Sequence, residues 1–107
     1  MTNLIINPGV CGFTASVTAH SDDQIDVTLQ VDTACPAVHA MMDALGDTFD
    51  AFELCLTQPG TNPFYQYAAK HFPGHGSCPV IAGITKCVEA ECRLALKRNV
   101  TFTFVEE

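Results

Sequence analysis

The chain has 107 residues, 48% of them hydrophobic and 16% charged, with twelve Asp and Glu against five Lys and Arg. That length holds one domain, residues 1–107, with enough apolar material for a core that does without disulfide staples. A net charge of −7 argues against nucleic acid and against anionic membrane surfaces, since phosphate contacts need clustered cations.

Leu4 and Ile6 begin a short strand that ends at the turn signal Asn7-Pro8-Gly9. Phe13, Ala15, Val17 and Ala19 then alternate with Thr14, Ser16, Thr18 and His20, the period of a strand with one buried face. His20-Ser21-Asp22-Asp23 forms a hairpin turn, and Ile25, Val27, Leu29 and Val31 alternate with Asp26, Thr28, Gln30 and Asp32 as a third strand. Val38, Met41, Met42 and Leu45 occupy one face of a helix that Gly46 stops.

Residues 49–56 and 63–72 predict two short helices on either side of Gln58-Pro59-Gly60. A longer helix is expected from Pro79 to about Lys97, with Val80, Ile81, Ile84, Val88, Cys92 and Ala95 on its inner face. Val100, Phe102 and Phe104 alternate with Thr101 and Thr103 as a closing strand. The order βββ, helices, β predicts an α+β two-layer sandwich, an antiparallel sheet with helices packed on one face.

No run reaches the roughly 18 apolar residues of a membrane span, and the apolar run at residues 3–7 has no basic leader. The expected compartment is the cytoplasm, where thiols stay reduced. Six cysteines in such a chain suggest metal or redox chemistry more than a disulfide framework. If neighbouring strands pair as hairpins, the first turn, with Cys11, and the end of the third strand, leading into Cys35, share one edge of the sheet. Cys35-Pro36 and Cys78-Pro79 each place a cysteine at or near a helix N-cap, because proline suits the first helical position. Unpaired N–H groups and the positive end of the helix dipole favour a thiolate there. A long helix running down to a closing strand would start beside Cys35 and bring Cys78 to the same end. His75, three residues before Cys78 in a glycine-rich loop, is the candidate fourth ligand, since zinc and iron take sulfur and imidazole nitrogen together.

Val10-Cys11, Ala34-Cys35-Pro36 and Ser77-Cys78-Pro79 together resemble the TSCPD-type domain. The same order of elements is similar to iron–sulfur cluster scaffolds of the NifU amino-terminal type, which also carry three cysteines in a hairpin loop and at two helix starts. The resemblance covers residues 9 to about 96 and implies the same fold and a three-cysteine site. It does not extend to cluster transfer: Gly76 and Val80 stand where the TSCPD stretch has Thr and Asp. Phe13 and Ser77 stand where the scaffolds have Asp and His, and the chaperone-recognition stretch of those scaffolds is missing ahead of Cys78.

Cys55, Cys87 and Cys92 fall inside the expected helices and suit small apolar core positions. His20 and His39 are expected in solvent and Met41 and Met42 in the core. No nucleophile elbow, phosphate loop or paired His-Glu motif is present, so enzymatic hydrolysis has little support. The sequence therefore points to a small cytoplasmic metal-binding protein holding zinc or an iron–sulfur cluster through Cys11, Cys35 and Cys78. His75 or an external ligand would be fourth, and the role would be metal or cluster carriage or a scaffold. A thiol redox protein or sensor, and an interaction module without chemistry, are the alternatives. The low share of charge leaves room for a protein partner or a homo-oligomer.

Overall fold

Alternation along the first third of the chain resolves into an antiparallel meander in the computed structural model, which describes residues 1–106. Strand β1 (Thr2–Ile6) pairs with β2 (Ala15–His20), and β2 pairs with β3 (Asp26–Thr33), all antiparallel. Ala15, Val17 and Ala19 on β2 and Val27 and Leu29 on β3 are buried, while Ser16, His20, Thr28 and Gln30 between them are exposed. Asp23 closes the β2–β3 turn: its Oδ1 accepts the amides of Ile25 and Asp26, both at 2.9 Å. Those bonds hold its carboxyl below the ordinary carboxylate value.

Helix α1 (Pro36–Leu45) follows β3 and ends at Gly46, whose φ of 84° is the left-handed conformation that glycine tolerates. The fourth strand, β4 (Thr48–Asp50), comes next and pairs with the start of β3, so the sheet order is β1-β2-β3-β4. Asp50 ends β4 and caps α2 (Ala51–Cys55), accepting the amides of Phe52 and Glu53. Asn62 caps α3 (Pro63–His71) through the Tyr65 amide. Helix α4 (Val80–Glu91) lies across β1 and β2, α1 lies against β3, and α2 and α3 complete the layer. The α+β class, with an antiparallel sheet and helices on one face, is as expected.

Three details differ from expectation. Residues 49–56 begin as strand, because Phe49 pairs with Val27 and packs at a tilt against Phe64 with ring centroids 5.0 Å apart. Residues 100–104 form no strand, and Phe102 and Phe104 stand in solvent. The last helix is also shorter than its apolar spacing suggests. Arg93 takes φ 59°, and the amides of Leu94 and Ala95 turn back to the Glu89 carbonyl, ending the helix before Ala95. Glu91 then anchors that end. Its carboxylate accepts from the Thr2 hydroxyl at 2.7 Å and the Ser21 amide at 2.9 Å. Among the described residues no helix is long and apolar enough to cross a membrane.

Candidate functional site

The direction of α4 fixes the site. Its last residue, Glu91, bonds Thr2 at the start of β1, so its first turn lies at the opposite end of the sheet. That is the end where β1 leaves for the Cys11 turn and β3 leaves for Cys35. The expected closing strand does not form, yet Cys78 still arrives beside the other two, because the helix itself runs antiparallel to β1. A cavity of about 510 Å³ opens there, lined by Cys11, Phe13, Cys35, Pro36, Ala37, Pro73, His75, Cys78 and Val80.

Each cysteine is held by a different local device. Cys11 is exposed in the β1–β2 loop, between Gly9 and Gly12, both at positive φ, with the Gly12 amide bonded to the Gly9 carbonyl at 3.0 Å. Cys35 is the N-cap of α1, with Pro36 in the first turn. Its amide donates to the Thr33 hydroxyl at 3.2 Å, and its carbonyl accepts the His39 amide at 3.0 Å. Its side chain makes no capping bond, and the residue lines the cavity. Cys78 departs from the expected pattern, since Pro79 is itself the N-cap of α4 and Cys78 precedes it. The Cys78 amide reaches back to the His75 carbonyl at 3.4 Å, and the His75 Nε2 shares a hydrogen bond with the Ser77 hydroxyl at 3.3 Å.

The remaining thiols have another character. Cys87 is fully buried, with its Sγ directed at the Thr2 carbonyl 3.5 Å away, and Cys92 is buried at the end of α4. Cys55 packs against the core and points to the Thr85 carbonyl at 3.7 Å. Burial pushes the Cys55 thiol up to about 12 and Cys87 to about 11, and raises Cys92 as well. These three stay protonated and apolar. All six cysteines are free.

The donor set at the cavity is three sulfurs and one imidazole among otherwise apolar side chains, the chemistry that suits zinc or iron rather than calcium or magnesium. Among the described residues no three His, Cys, Asp or Glu side chains are already gathered to hold an ion. The four donors share a cavity without converging on one point. Phe13 is the lining residue that alternation misplaces: counted as the first inward residue of the second strand, it lies before β2 and is partly exposed at the cavity. His20 and His39 lie on the surface, beside Asp22 at 3.1 Å and Asp43 at 3.2 Å.

Fold and site thus define a small α+β protein with a thiol-lined cavity at one end of its sheet. Residues 2–104 match the model of a family described as a family of unknown function, DUF6951, and the chain belongs to it. No curated protein and no solved structure matches the chain.

Proposed function

We propose that the protein binds zinc or an iron–sulfur cluster through Cys11, Cys35 and Cys78, with His75 or an external ligand in the fourth position. The observation that supports this most is the division of the cysteines. Three loop cysteines and one loop histidine line a single cavity, whereas the other three thiols are held protonated against the core. Sulfur and imidazole donors in an apolar setting favour a soft or borderline metal. Three protein thiolates with one exchangeable position suit carriage or assembly better than a closed structural site, which normally has four protein ligands. Binding has to draw the Cys11 loop and the loop of residues 73–78 inward, and the glycines at 9, 12, 74 and 76 give those loops the freedom to close.

Metal and acid-labile sulfide analysis of protein purified without oxygen tests the proposal. Iron with sulfide, or about one zinc per chain, is expected, and C11S/C35S/C78S should lose it while a Cys55→Ser variant keeps it. Metal retained by the triple variant, or metal-free protein that refuses reconstitution, overturns the proposal.

A further inference from the structure

Beyond Ala95 the chain carries a segment that packs against nothing in its own core among the described residues. All residues from 95 to 106 are exposed. Phe102 is 89% and Phe104 105% exposed, although they alternate with Thr101 and Thr103 as strand residues do. The same molecule also leaves a sheet edge uncovered. β1 pairs only with β2, and its five residues include no charge and no proline, the usual protections of an edge. Ile5, on its outer face, is 68% exposed. The other edge, β4, is only three residues long.

We propose that residues 100–104 of one copy add as a strand along the free edge of β1 in a second copy, the two copies exchanging arms reciprocally. The five-residue arm matches the length of β1. With Thr101 and Thr103 on the polar face beside Asn3 and Ile5, the phenylalanines fall on the helix-covered face beside Leu4. Reciprocal exchange closes the assembly as a dimer, leaving neither arm nor β1 edge unpaired.

Area and charge both favour a second copy as occupant. Burying a phenylalanine removes about 150–250 Å² from water, so the four of two arms withdraw roughly 600–1,000 Å². With the surface they cover, the contact reaches the range of about 1,200–2,000 Å² seen in stable interfaces. Ten of the twelve acidic residues lie in residues 1–92 with only Lys70 and Lys86 to offset them, while Arg93, Lys97 and Arg98 stand at the base of the arm. The arm thus presents cations to a strongly acidic body, and a second copy supplies that body.

Sedimentation of the full chain across a concentration series, with hydrogen exchange on the same samples, tests this. A species of twice the 11.5 kDa chain mass is expected, with amides of residues 100–104 protected only where that species is populated. F102D/F104D alters residues outside the core and should raise the dimer dissociation constant about 100-fold with an unchanged far-ultraviolet spectrum. Ile5→Lys, which charges the receiving edge, should weaken it too. A chain that stays monomeric throughout, an arm protected in the monomer, or a dimer indifferent to F102D/F104D overturns the proposal. C11S/C35S/C78S should dimerise like the unaltered chain, so this outcome is separable from that of the metal analysis.

Discussion

Cys87 shows what burial does to a thiol in this chain. With its ordinary value near 9 pushed up to about 11, it stays protonated in the folded state after the unfolded chain has released the proton. The unfolded state then binds fewer protons, and folding stability falls as pH rises. The contribution is complete below about pH 9 and drains away toward 11 for Cys87 and toward 12 for Cys55. Within that window each thiol removes about 1.4 kcal/mol per pH unit, with a smaller share from Cys55, which is partly exposed. The urea midpoint should therefore drop between about pH 9 and about pH 11, and Cys87→Ala should flatten the drop. An unchanged midpoint over that range would contradict the burial argument. The same contrast explains why the candidate donors were legible one residue at a time. Cys11, Cys35 and Cys78 stand next to glycine or proline, which mark turns and helix starts, whereas Cys55, Cys87 and Cys92 sit among apolar residues at helical spacing.

Among the elements, the packing of α4 on β1 turns on one small residue. A Cβ built on Gly83 would lie 2.5 Å from Ile6 Cδ1 and 2.7 Å from its Cγ1. Ile6 is itself buried in the core. In an exposed helix, Gly→Ala gains about 1 kcal/mol, but overpacking a core contact costs about 1–3 kcal/mol. Gly83→Ala should therefore destabilise by about 1 kcal/mol, and combining it with Ile6→Ala should cost less than the two changes summed, as contacting residues do. A gain in stability from Gly83→Ala alone would mean that Ile6 swings aside freely. Nothing in the sequence marks Gly83, since an isolated glycine in a helical pattern says only that the helix tolerates it. β4 was hidden for a different reason: three residues are too few to show a period, and Asp50 both ends the strand and caps the next helix. Residues 100–104 alternate clearly but find no strand partner among the described residues. Alternation reports a strand that one face can bury, not which sheet buries it.

The whole molecule has two unlike ends. At one, Glu91 joins the last turn of α4 to Thr2 and to the Ser21 amide of the β2–β3 turn, with the amino group of Met1 3.3 Å away. Burial alone would raise that carboxyl, but the Thr2 and Ser21 bonds and the nearby amino group outweigh it and hold it below the ordinary value. At the other end lie the cavity and its two glycine-bearing loops, tied by few hydrogen bonds. Within the folded body, residues 1–94, local opening should follow that division, with amides of β2 and α4 exchanging slowest and those of residues 9–13 and 73–78 fastest. If the proposed thiolate site is right, zinc binds the folded chain and must order the open end first. Added zinc should slow exchange in those two loops and leave the Ser21 turn unchanged. It should also stabilise the fold by about 2.7 kcal/mol at a hundredfold excess over its dissociation constant. Hydrogen exchange read by mass spectrometry on reduced protein, with and without zinc, measures both ends in one experiment. Protection confined to the Glu91 end, or spread evenly over the chain, would show that the ion binds elsewhere, whereas protection of the two cysteine loops that vanishes in C11S/C35S/C78S would tie the closing of the cavity to its three sulfurs.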